Sequence, residues 1–221
     1  MQTPAPLSLP TGRLEVNWDA YWKGFMSIPL IEAVRFALVR GACERLLKNF
    51  PRRGNYHFCE LGAGTASVSR YLGDTYQADI TIVDSNSRAL DLSRGTFEGF
   101  PRRFHAVPRD VFDLKDHEGR FDLVHSGGLI EHFVGEARHR IIEAHCALVK
   151  DHGYLMILVP IRNTWYKILN EGIFKGLRLL DHIPEVPWSL EELETELHRC
   201  GFRIIGTTTV ITELGVLARR G

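Results

Sequence analysis

The stretch "FCELGAGTAS", Phe58 to Ser67, sets one carboxylate, Glu60, two residues ahead of a turn made of Gly62, Ala63 and Gly64. Small residues in such a turn let a ligand come close to the backbone, and the N–H groups opening the next helix then become donors. An acid at that place repels a pyrophosphate and suits a ligand carrying an ammonium group or another cation. The dinucleotide pattern G-x-G-x-x-G is not completed either, because Ser67 holds its sixth position. A second acid, Asp84, lies 84 − 62 = 22 residues past the first glycine, where a carboxylate accepts hydrogen bonds from ribose hydroxyls. A third, Asp110 in "RDVFD", follows a short apolar run, and Gly127 and Gly128 follow another. Three acids around a crevice of small residues favour a nucleoside ligand without phosphates. Plainer roles compete: Glu60 as a surface strand end, Asp84 as a cap for the helix opening at Ser85–Asn86, Asp110 as a loop residue.

These residues need strand ends to hold them. "YHFCEL", "ADITIVD", "RFHAVP", "RFDLVHSG" and "GYLMILVP" read as strands. "TASVSRYL", "SRALDLSRGTF" and "GEARHRIIEAHCALVK" read as helices between them. That alternation predicts βαβ units and a doubly wound, mostly parallel α/β sheet. Upstream, Trp18 to Phe50 has helical spacing at Ile31, Val34, Leu38, Ala42 and Leu46, divided by Pro29. Residues 1–15 read as a flexible arm. "SLEELETELHRCGF" opens on a capping box, Ser189 with Glu192, and closes at Gly201. "RIIGTTTVI" and "LGVLARR" are joined by too few residues for a crossover and should pair antiparallel at the end of the sheet. The domain plan is therefore an arm and helical lid over 1–50, then a cofactor-binding α/β domain over 51–221 with a lid insertion at about 161–187.

The 221 residues suffice for a real core. Lys plus Arg and Asp plus Glu are 27 each, so no net charge draws the chain to a polyphosphate, and nucleic acid is not an expected partner. Cys43, Cys59, Cys146 and Cys200 are too scattered for a metal or disulfide framework and suit a reducing compartment. The proline-bearing N-terminus is no secretory signal, and "YLMILVP" is too short to span a bilayer, so a cytoplasmic location without a membrane span is expected. His139, His145 and His152 lack HExxH order, so no metal is proposed, and His125, inside a strand, reads as structural.

The run of motifs "FCELGAGTAS", "TIVDSN", "RDVFDL" and "FDLVHSGGLIEHF", with the terminal antiparallel pair, resembles the class I S-adenosylmethionine-dependent methyltransferases over roughly residues 55–220. The resemblance implies a Rossmann-like fold with a seven-stranded sheet whose last strand is antiparallel. It implies S-adenosyl-L-methionine as cofactor: Glu60, Gly62, Ala63 and Gly64 at the methionine moiety, Asp84 and Ser85 at the ribose, and Asp110 and Val111 at the adenine. Ser126 and Gly127 complete that set. Ala66 stands where many members carry a third glycine. "EHF" at 131–133 looks like the Glu-His pair of small-molecule members, which makes His132 the candidate general base. The implied reaction is in-line attack of an acceptor nucleophile (O, N, S or C) on the sulfonium methyl, with the protein orienting the reactants and excluding water.

Acceptor recognition falls to two aromatic segments. "NWDAYWKGF" holds two Trp, a Tyr and a Phe in nine residues, and 161–187 is comparably apolar. Tyr21, Trp22, Trp165 and Tyr166 are the candidate acceptor-binding residues, in a lid for a small organic or lipid-like molecule. Packing on the sheet ends or a homodimer contact is the plain alternative. Two other classes stay open from residues alone: an NAD-dependent oxidoreductase or nucleotide-binding module on a similar sheet, and a non-catalytic methyltransferase-fold partner subunit.

Overall fold

A computed structural model describes residues 12–25, 29–52, 55–164 and 183–221. Trp165, Tyr166 and most of the 161–187 insertion fall outside the described residues. The first helices are α1 (Trp18–Phe25) and α2 (Pro29–Leu46), so Pro29 stands at the first position of a helix, where its missing N–H costs nothing. The alternating part then runs β1 (His57–Leu61), α3 (Ser67–Tyr76), β2 (Asp79–Val83), α4 (Ser87–Thr96) and β3 (Phe104–Val107). It continues through β4 (Phe121–Gly127), α5 (Glu136–Leu148), β5 (Val149–Pro160), α6 (Leu190–Arg199), β6 (Phe202–Val210) and β7 (Glu213–Arg220).

Seven strands form one sheet in the order β3-β2-β1-β4-β5-β7-β6. The first five are parallel, and β7 runs antiparallel between β5 and β6. This is the fold class expected from the sequence. Central strands are apolar throughout because both faces are covered: every residue of β2 is buried. At one edge, β6 alternates between half-buried and exposed positions, as a strand with one solvated face does. Residues of α5 and α6 pack on one face around Ile141, Leu193, Leu197 and Trp188. Residues of α2, α3 and α4 pack on the other around Leu47, Phe58, Leu72 and Leu90.

The strand order reverses between β1 and β4, and there the carboxyl ends of the two strands part to leave a crevice. The chain just ahead of α1 closes over it. Arg13 bridges Phe133 in antiparallel fashion, Leu14 N–H donates to His132 O at 2.8 Å, and Val134 N–H donates to Gly12 O at 2.7 Å. The expected flexible arm is thus corrected over residues 12–14, which are pinned as a short strand-like strap.

Candidate active site

The glycine turn is clamped on both sides of Gly64. Its N–H donates to Asp84 Oδ2 at 3.2 Å, and its carbonyl accepts from the Ser93 hydroxyl of α4 at 2.7 Å. Gly62 (φ 64°) and Gly64 (φ 53°) both sit in the left-handed region, which glycine enters without strain. A Cβ on Gly64 would lie 2.4 Å from Trp22 Cη2, and one on Gly62 would lie 2.8 Å from Leu129 Cδ1. Gly64 therefore leaves room for the Trp22 ring. Ala66 is also left-handed (φ 54°), at the start of α3, so alanine here holds a backbone conformation that favours glycine.

Glu60, the penultimate residue of β1, is buried, and its Oε2 has no hydrogen-bond partner among the described residues. Burial pushes its carboxyl up to about 7, although Ser69 donates to it. His125 Nδ1 lies 3.9 Å from Glu60, and its Nε2 pairs with the Ser69 hydroxyl at 3.0 Å. Burial drives His125 down to about 3, so the ring is neutral and the pair is not ionic. With the Ser69 hydroxyl donating to Glu60, Nε2–H of His125 is the donor to Ser69. His125 thus positions the Ser69–Glu60 contact from inside β4.

Asp84 accepts from Gly64 N–H and, through Oδ1, from Asn86 N–H at 2.8 Å. Burial raises its carboxyl against those two donors. The helix cap, the plainer alternative for Asp84, falls to Asn86, whose side chain accepts from Ala89 N–H and donates to Asp19 of α1. Asp110 is gripped by Arg13 in two places, at 2.9 and 3.1 Å. Burial opposes its ionisation, yet Arg13 and the Phe112 N–H hold it below the usual carboxylate range.

His132 lies in a single 3₁₀ turn, Ile130–His132, after β4. Its Nδ1–H donates to the Pro184 carbonyl at 2.9 Å, which leaves Nε2 as the basic nitrogen. Burial lowers its pKa against the carbonyls of Pro184 and Gly128, so the neutral ring prevails at pH 7. The Trp18 ring meets it edge-on at 5.0 Å, and Tyr21 and Trp22 pack at 4.8 Å.

One cavity of about 830 Å³ joins these parts. Glu60, Gly62, Ala63, Gly64, Asp84, Ser85, Asp110, Val111, Gly127, His132, Tyr21 and Trp22 all line it. Ser126 is the exception and a correction. It is buried, and its hydroxyl pairs with His145 Nε2 of α5 at 2.9 Å, on the opposite face of β4 from His125. The sequence reading missed Arg13, Arg35, Ser69, Ser93, Glu131, Glu185 and Glu213. Only Glu131 carried a signal, in "EHF".

Residues 58–153 match a family model described as a methyltransferase domain. No curated protein sequence matches the chain. Among solved structures, the chain is similar to magnesium protoporphyrin IX methyltransferase from Synechocystis PCC 6803 with bound S-adenosylhomocysteine. That pair is 17% identical with a TM-score of 0.69, covering 94% of this chain and 89% of that one. It is similar also to the 1,6-didemethyltoxoflavin-N1-methyltransferase of Burkholderia thailandensis, at 19% identity and a TM-score of 0.71, covering 99% and 93%. The matched stretch is a methyltransferase domain, and the chain shares the fold of these Rossmann-like methyltransferases. The molecule bound in the first of these structures, S-adenosylhomocysteine, is the demethylated form of S-adenosyl-L-methionine. The site fits that molecule: a buried carboxylate with an unpartnered oxygen beside a side-chain-free turn accepts an ammonium group.

Proposed function

We propose that the protein methylates a small organic or lipid-like acceptor inside the cavity closed by α1 and the Gly12–Leu14 strap. One observation carries this reading. The same cavity runs from the Glu60–Gly64–Asp84 pocket to His132 and to the aromatic wall of Trp18, Tyr21 and Trp22. When bound, S-adenosylmethionine supplies a methyl group already activated on sulfonium. Glu60 holds its ammonium group, Asp84 and Ser85 its ribose, and Asp110 with Val111 its adenine. Gly62, Ala63, Gly64 and Gly127 let it approach the backbone. Tyr21 and Trp22 exclude water and wall the acceptor, and Trp165 and Tyr166, outside the described residues, are proposed as further acceptor-binding residues. His132 Nε2 takes the proton of an acceptor hydroxyl or ammonium group, a role worth about 10²–10⁴-fold.

The setting is a cytoplasmic one, in keeping with four unpaired cysteines and no described helix long and apolar enough to cross a membrane. Parallel calorimetric titrations with S-adenosylhomocysteine and NAD test the site. S-adenosylhomocysteine should bind, and Asp84→Ala should weaken it by about 1–3 kcal/mol through lost hydrogen bonds to a charged acceptor. Tight NAD binding without affinity for S-adenosylhomocysteine overturns the assignment.

A further inference from the structure

Among the described residues six carboxylates line the cavity: Glu60, Asp84, Asp110, Glu131, Glu185 and Glu213. The cofactor reading engages the first three and assigns no role to Glu131, Glu185 or Glu213. Glu131 follows β4, is 2% exposed, and its Oε2 has no hydrogen-bond partner among the described residues. Glu213 opens β7 opposite Pro160, the last residue of β5. Glu185 comes from a third segment, flanked by Pro184, which accepts from His132, and by Val186, whose N–H donates to the Glu131 carbonyl at 2.8 Å. Three distant parts of the chain thus bring acids to the side of the cavity that holds His132.

These groups oppose one another. Burial, then Glu213 and Glu185, raise Glu131 well above the usual carboxylate range, against its own backbone N–H and Arg138. Burial, then Glu185, push Glu213 up to about 7 against Arg35. Two like charges at a buried wall are costly until a cation joins them. Among the described residues no three His, Cys, Asp or Glu gather as a metal site, and the apolar lining beside the acids suits an organic cation. The rest of the cavity supplies its apolar lining: Trp18, Leu38, Val39 and Val210.

We propose that Glu131 and Glu213 seat a protonated amine of the acceptor, so that the substrates are amphiphilic amines whose apolar body lies along α1, α2 and the end of β6. This rests on the methyltransferase reading above and narrows its acceptor. The test is calorimetry at neutral pH on protein saturated with S-adenosylhomocysteine, titrated with 2-phenylethylamine and with its neutral counterpart 2-phenylethanol. The amine should bind about ten-fold tighter or more, as a charge-assisted hydrogen bond to a buried carboxylate implies. Glu131→Gln and Glu213→Gln should each remove most of that preference while the alcohol binds as before. Equal affinities, no amine binding, or a preference that survives both substitutions overturns the proposal and leaves the cofactor site standing. Failure of S-adenosylhomocysteine to bind at the outset sinks the methyltransferase site instead. Should Glu131→Gln fail to fold, Glu213→Gln and the wild-type comparison decide the matter.

Discussion

A carboxyl group pushed up to about 7, as that of Glu60 is, stands half protonated at neutral pH. An incoming ammonium group needs the ionised form, so affinity for S-adenosylhomocysteine should fall between about pH 8 and about pH 6. Stability of the cofactor-free protein runs the other way. The folded pKa lies above the usual 4.5, so the protonated side chain favours folding at low pH, and that contribution is lost as pH rises through about 7. Glu60→Gln keeps the shape without the charge. It should raise the melting temperature of the cofactor-free protein near pH 8 and weaken S-adenosylhomocysteine binding in the same preparation. An affinity flat across that pH range in the wild type removes Glu60 from the ammonium site. Glu60 was legible in the sequence because acid, strand end and glycine turn are neighbours in the chain. Glu213 was not, since only the fold brings it to the cavity.

Elements were read well wherever their signals are local. The capping box on α6 is present as expected: Ser189 Oγ accepts from Glu192 N–H at 3.1 Å, and Glu192 Oε2 accepts from Ser189 N–H at 3.1 Å. Ser189→Ala should lower stability by about 1 kcal/mol in denaturant melts, and an unchanged midpoint would show that α6 is held by packing alone. The glycine turn was legible as a cradle, but its clamp was not. Ser93 reaches Gly64 from 29 residues away, and Trp22 covers it from α1. Gly64→Val therefore does more than fill ligand space. It places a β-branched residue at φ 53° and drives a methyl group into the Trp22 ring. We expect lost S-adenosylhomocysteine binding together with a lower melting temperature. Normal binding in the folded variant would move the cofactor cradle elsewhere.

For the molecule as a whole, the doubly wound, mostly parallel sheet followed from the βαβ alternation, whereas the strap did not, because one bridged pair leaves no periodic trace. Arg13 ties the N-terminal segment to Asp110, and Asp19 ties α1 to the cap of α4, so the roof is fastened at two corners. Arg13→Ala should cost stability little, since the pair is partly exposed, about 1 kcal/mol at most. It should, however, speed amide exchange across α1. Exchange in α1 equal to wild type would show that the roof stays down without Arg13. The reversal of β7 has a further consequence. Because β6 runs parallel to β5 and β7 returns, their hairpin bend, Ile211–Thr212, lines the cavity, and there Thr212 O accepts from Ile161 N–H at 2.8 Å. Both strands leave that bend into a ladder that fixes their register from Phe202 to Arg220. The tip can therefore change length or composition while the sheet stays as it is, which makes it an interchangeable bit on a fixed handle. Relatives that share this frame but differ at those two residues would accept different guests.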